Sequence, residues 1–385
     1  MDEGTAMVRI GDVSDDGLDD VIVGSAANMV HCLESSAGGE WWSHPVGGTV
    51  WSLAGIGDVD GLGQEDVILG TNANEAICLS GESDGFGGGV VVWTQAQPGD
   101  VFSVASISDI PASNDGRREA LIGLGTGNVK CLSGLDGATL WTGKVGNVVW
   151  KVLACPSVNG DSVEDVIVAS GSNVAAMLDG ANGNELWNYG TGADVWCLDW
   201  IEDVDGDSTP DVLVGTGLNE VICIRGGGPS SGTQIWKASA GSDVRVVRTI
   251  GDVTGDGRDD VVFGSDDNRV YVVDGANGAA VYSCSLSGAV QALAPFADKN
   301  YDGFPDFAAG SNISAVYGMS GSSNLRLWQY YLPQAGEIVE ITTAPDISND
   351  SQDELVLISS NGSVICLESI LFRANVSPMV WGMYR

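Results

Sequence analysis

The sequence predicts an all-β protein folded as an eight-bladed β-propeller of four-stranded antiparallel blades, and three observations carry that expectation. An acidic loop recurs eight times at nearly even spacing, short β-branched runs punctuated by Gly and Asp surround each copy, and no segment sustains a 3.6-residue period. Four strands per unit, eight times over, is the arithmetic of a closed ring of blades. A long β-solenoid is the rival, but its repeats are shorter and less often broken into four strands.

The repeat is legible by eye. GDVSDDGLDDVIVGS starts at Gly11 and returns as GDVDGLGQEDVILGT from Gly57, EDVDGDSTPDVLVGT from Glu202 and GDVTGDGRDDVVFGS from Gly251. Weaker copies begin near Asp109, Ser157, Asp298 and Asp346, so the loops open at 12, 58, 109, 157, 203, 252, 298 and 346. Units of about 48 residues account for residues 1–368 as one propeller with no linker, and leave 369–385 as an atypical segment.

Each unit reads in the same order. An alternating stretch such as VWSLAGI (50–56) leads into the acidic loop, and an apolar run such as DVIVG follows it. A turn, a stretch such as EAICL, a Gly-rich turn and a Trp-bearing run such as ELW complete the unit. Runs of this length and β-branched content are strands.

Composition bounds the function. The 385 residues carry 52 Asp+Glu against 16 Lys+Arg, a net charge of −36, so nucleic acid and anionic lipid surfaces are not expected partners. An apolar content of 44% supplies a core, no run is long enough to insert in a membrane, and no basic-then-apolar leader is seen at Met1. Two histidines leave little room for imidazole chemistry.

The acidic loop followed by a short apolar strand resembles the FG-GAP repeats of integrin-type propellers. LDGANGNELW (178–187) and LSGLDGATLW (132–141) resemble the tryptophan-docking repeats of quinoprotein-like propellers. The resemblance implies the propeller fold and calcium loops; it says little of activity, since one fold hosts many functions.

The loop pattern, D-x-D-x-D-G-x-x-D, places oxygen ligands at positions 1, 3, 5 and 9 and a turn-making glycine at 6, which suits structural Ca²⁺ with its six to eight hard ligands. The candidate ligands are Asp203, Asp205, Asp207 and Asp211 (with Ser208 in place of the glycine); Asp12, Ser14, Asp16 and Asp20; and Asp252, Thr254, Asp256 and Asp260. Asp298, Asn300, Asp302 and Asp306, then Asp346, Ser348, Asp350 and Glu354, follow the same pattern, and Asn159, Asp161 and Asp165 form a weaker set behind Ser157. Leu62 between Asp60 and Gly63, and a two-residue insertion between Asp109 and Glu119, argue against an ion in the second and third loops. The competing reading is that Asp and Gly merely make hairpin turns. Six ions of charge +2 would move the net charge from −36 to −24, and modest sites of this kind suit extracellular calcium.

Trp42, Trp93, Trp141, Trp187, Trp236 and Trp328 share one repeat position, with Tyr282 substituting; Trp51, Trp150 and Trp196, with Phe102, share another. Both series are expected to be inter-blade core rather than a sugar-stacking surface. Cys32, Cys78, Cys131, Cys223 and Cys366 recur at one strand position and are expected to be buried thiols, because equivalent positions on packed sheets lie too far apart for a disulfide.

No catalytic constellation is legible, and the connections are short. The expected function is therefore non-enzymatic: an extracellular or cell-surface, calcium-stabilised module for adhesion or binding, engaging a protein, a glycan or copies of itself. A carbohydrate-active propeller, lectin or polysaccharide lyase, is the alternative. The tail ESILFRANVSPMVWGMYR is expected either to close the ring as an outer strand or to join subunits.

Overall fold

The computed structural model describes residues 6–36, 38–332, 335–344 and 353–367, and the backbone of 379–383. Its strands form eight separate four-stranded sheets. Each sheet is one blade built from one contiguous stretch: 6–45, 50–96, 101–144, 149–190, 195–239, 244–285, 290–331 and 338–383. Strands A to D of each blade follow chain order from the channel outward, antiparallel throughout. In blade four, for example, Val149–Cys155 (A), Asp165–Ser170 (B), Val174–Leu178 (C) and Glu185–Gly190 (D) pair in sequence. The outer strand of blade eight is Met379–Met383, paired with Ser363–Leu367.

Strand composition follows position in the wedge. Strand B is buried along its whole length, as in Asp66–Thr71 and Asp211–Thr216, because both of its faces meet a neighbouring blade. That is why it reads as an unbroken apolar run rather than an alternation. The D strands alternate buried and exposed, as in Glu185–Gly190. Eight apolar clusters fill the eight blade junctions; the last joins Met7, Val21, Val23 and Leu33 to Ala344, Val356, Ile358 and Val364 and so closes the ring. The Met7 N–H also donates to Glu340 Oε2 across this seam, at 2.9 Å. Gly24 of strand B is required by close approach: a Cβ there would lie 2.5 Å from Val50 of the next blade.

Cys32, Cys78, Cys131 and Cys223 are buried thiols in strand C, each directly opposite a D-strand tryptophan: Trp42, Trp93, Trp141 and Trp236. Burial pushes all four thiols well up, which leaves them unreactive packing residues. Among the described residues no helix is long and apolar enough to cross a membrane.

Candidate functional site

The acidic loops connect strands A and B on one face of the disc. Two left-handed residues shape each of the first seven turns: in the first loop Asp15 (φ 60°) and Gly17 (φ 92°), in the sixth Gly255 (φ 81°) and Gly257 (φ 86°). Ser208 holds the glycine's conformation at φ 73°, so its loop keeps the same path without the glycine.

The first carboxylate of the pattern caps its own loop. Asp12 accepts from the Asp16 and Gly17 N–H groups, Asp252 from Gly255, Asp256 and Gly257, and Asp298 from Tyr301, Asp302 and Gly303. Asp16 and Asp256 accept from Leu18 and Arg258. Ser14 and Thr254 donate their backbone N–H to Asp20 and Asp260, each at 2.8 Å. Asn300 donates its side-chain amide to Asp302, whose carboxylate also accepts from Ser320 and Ser322. In the fourth loop Asn159 donates to Asp161 and Asp165, so that loop satisfies itself internally.

The ninth residue has a structural role that its sequence position did not disclose. Asp20, Asp66, Glu119, Asp165, Asp211, Asp260, Asp306 and Glu354 are all buried. Asp165 is typical: Oδ2 accepts the Val158 N–H at 2.8 Å and Oδ1 accepts the Gly180 N–H at 3.0 Å. It thus ties the acidic loop to the C–D turn of its own blade. Asp66, Asp211, Asp260 and Asp306 repeat the arrangement on Gly81, Gly226, Gly275 and Gly321. Burial pushes these carboxyls up, against the pull of the backbone donors: Asp66, Asp165 and Asp306 to about 6 and Asp211 to about 7, with Asp205 and Asp207 adding to the last.

The same glycines receive the preceding blade. Trp42 Nε1 donates to the Gly81 carbonyl at 3.0 Å, Trp93 to Gly134 at 2.7 Å, Trp141 to Gly180 at 2.8 Å, Trp187 to Gly226 at 2.7 Å and Trp236 to Gly275 at 2.7 Å. A β-bulge beside each of these tryptophans aims the indole across the junction. One glycine residue therefore links the indole of one blade to the buried carboxylate of the next. Tyr282 reaches the Ser320 carbonyl instead, and Trp328 Nε1 is buried without an acceptor.

Among the described residues three loops gather carboxylates whose oxygens lie within 4.8 Å of one another: Asp58 with Asp60 and Asp66, Asp109 with Asp115 and Glu119, and Asp203 with Asp205 and Asp211. Two of these are the loops that the sequence pattern disfavoured. Asp60 approaches Asp66 despite Leu62, and the insertion still brings Asp109 and Asp115 to Glu119. The fifth loop offers the best-formed cation set. The Asp205 side chain is 8% exposed, and neither of its oxygens, nor Asp207 Oδ2, meets a hydrogen-bond donor. Arg225 Nη2 lies 2.6 Å from Asp205 Oδ2 as an ion pair, too poorly aligned to count as a hydrogen bond. Glu354 is buried; Asp346, Ser348 and Asp350 lie outside the described residues.

The second tryptophan series departs from expectation. Trp51, Phe102, Trp150 and Trp196 are half-buried and line the central channel instead of the blade junctions. The cause is a β-bulge at the start of strand A, such as that between Val149 and Lys151, which turns the extra residue inward. Consecutive ring centroids are 5.8, 5.1 and 6.4 Å apart, and the Arg245 guanidinium lies 5.0 Å from the Trp196 ring.

Blades closed on a channel and joined through docked tryptophans define a propeller of the quinoprotein-like class. Residues 86–195 and 190–371 match the family described as outer membrane protein assembly factor BamB, and the chain belongs to that family. No curated protein matches the chain. Among solved structures it is similar to the computationally designed protein Ika8 (14% identity, TM-score 0.68, 95% of this chain and 96% of that one). It is also similar to Sqt1 of Saccharomyces cerevisiae (12%, 0.66, 83% and 82%) and to BBS1N, solved in complex with ARL6DN (11%, 0.57, 83% and 91%). At these identities the likeness shows the fold alone.

Proposed function

We propose that the protein is an extracellular, non-enzymatic scaffold that binds a protein, a glycan or further copies of itself, with Ca²⁺ in its acidic loops as a structural element. One observation carries the calcium reading. In the fifth loop the Asp205 carboxylate converges with those of Asp203 and Asp211, and neither Asp205 oxygen nor Asp207 Oδ2 meets a donor, an arrangement whose repulsion a divalent cation relieves. Asp203, Asp205, Asp207 and Asp211 would hold the ion there, and Arg225 supplies a single positive charge where the ion supplies two. The FG-GAP-like spacing and the net charge of −36 point the same way. The scaffold reading is supported by the description of the family as an assembly factor, and by connections too short to wall a catalytic pocket on the loop face.

Calcium stoichiometry, thermal unfolding with and without chelator, and particle size in the same samples test the proposal. Several ions per chain and a marked fall in melting temperature on chelation are expected, with size growth in the calcium form if copies assemble. Absence of bound calcium together with an unchanged melting temperature would reduce the loops to ordinary turns. The aromatic arc in the channel favours a second reading, a carbohydrate-binding propeller.

A further inference from the structure

The central channel holds two adjoining cavities of about 520 and 220 Å³, with Lys151 and Glu340 in the walls of both. Only 16 of the 385 residues are Lys or Arg, yet two of them, Lys151 and Arg248, stand in this channel with no carboxylate within ion-pair distance among the described residues. Lys151 makes no hydrogen bond there, and Arg248 donates only to the Val247 carbonyl, at 2.8 Å. Neighbouring carboxylates are engaged elsewhere: Asp199 accepts from the Thr249 N–H at 3.0 Å and Glu340 from the Met7 N–H at 2.9 Å. Burial and then the facing Arg248 lower the Lys151 ammonium's pKa, and Glu340 and Asp199, beyond ion-pair distance, offset this only in part.

The wall beside these cations is aromatic. Trp51, Phe102, Trp150 and Trp196 run across four blades, and the strand-A bulge puts Trp150 next to Lys151. Flat indole and phenyl faces stack on sugar rings, while Glu340, which presents a second oxygen, accepts from hydroxyl groups. A neutral sugar would leave both cations without a partner, and a simple oxyanion would leave the aromatic arc bare.

We propose that this channel binds a hexuronate, its carboxylate held by Lys151 and Arg248 and its ring set against the aromatic arc. This deepens the carbohydrate-binding reading and does not rest on the calcium one. A charge-assisted, two-point carboxylate contact gives the acid sugar its preference over the neutral one. Removing either cation leaves the carboxylate half-neutralised in a partly dehydrated channel.

The test titrates galacturonate and glucuronate, with galactose and glucose as neutral counterparts, into the full chain at saturating calcium, read by calorimetry and tryptophan fluorescence. At least one uronate is expected to bind 1:1 and about tenfold or more tighter than its neutral counterpart. Lys151→Met and Arg248→Met are each expected to weaken binding by a similar factor, whereas Lys151→Arg retains it within a few-fold. Circular dichroism confirms that each variant is folded. Lack of saturation by either uronate at about 10 mM, equal binding of the neutral sugars, or unchanged binding by both Met variants overturns the proposal. Any of these results obtained with calcium still bound leaves the calcium reading intact, and a failure to bind calcium leaves this one standing.

Discussion

Replacing Trp187 by Phe isolates one junction of the ring. The indole N–H donates at 2.7 Å to the Gly226 carbonyl in a buried setting, and Phe leaves that acceptor without a partner. An orphaned buried acceptor costs about 1–3 kcal/mol. The volume of the missing ring adds about 1 kcal/mol by comparison with other large-to-small changes. Trp187→Phe should therefore destabilise the protein by about 2–4 kcal/mol. Trp328 supplies the internal control, because its Nε1 is already buried without an acceptor. Trp328→Phe loses the packing but discards an unsatisfied donor, so it should cost about 1 kcal/mol or less. Denaturant midpoints at constant m measure both. Hydrogen exchange at the Gly226 amide, which donates to Asp211, should quicken only in the first variant. Equal midpoints for the two variants would refute the idea that the docking hydrogen bond, rather than bulk packing, holds the junctions.

Three further outcomes follow from the same geometry. Asp66, Asp165 and Asp306 rise from 3.8 to about 6 on folding and Asp211 to about 7, so between those limits the folded chain binds more protons than the unfolded one. The metal-free protein should therefore gain stability as pH falls from 8 to about 5.5, by about 1 kcal/mol for each of the first three groups and about 2 kcal/mol for Asp211. Melting temperatures in chelator that fall steadily over that range would contradict the burial of these carboxylates. Gly180→Ala would set a Cβ 1.9 Å from the Glu164 carbonyl oxygen, while Gly190→Ala meets nothing within 4 Å; the first should lose about 3 kcal/mol or more and the second almost nothing, by the same denaturant assay. The protein in chelator should show its largest hydrogen-exchange increase in the fifth acidic loop, where both Asp205 oxygens and Asp207 Oδ2 lack donors; uniform change across the eight loops would remove that loop's special standing.

Much of this was legible in one sequence because repetition averages away local ambiguity. The loop at Asp12 alone reads as a turn; eight copies in register disclose the blade count, the strand order and the tryptophan that crosses each junction. What stayed hidden depended on direction rather than residue type. Trp150 and Trp187 are the same amino acid at strand positions of similar apolar character, and only the bulge after Val149 turns one of them into the channel. Asp165 looks like one more loop oxygen until its distances to the Val158 and Gly180 amides show both oxygens committed to the backbone. Counting ligands along the chain also did not reveal the gathering of carboxylates in the second loop. Asp58, Asp60 and Asp66 converge because the backbone folds around Leu62, which points its side chain outward at 59% exposure.

The docking contacts give the ring a sense of rotation. Each runs forward along the chain, from the tryptophan of one blade to the turn of the next, from Trp42 onto Gly81 through to Trp236 onto Gly275, and Tyr282 continues it onto Ser320. An injury to an acidic loop thus loosens the blade behind it before the blade ahead. Trp328 interrupts the series, so the junction into the last blade lacks the docking bond and keeps, beside its packing, the donation of Lys299 Nζ to the Asp353 carbonyl at 3.4 Å; that is where such a ring should first come apart.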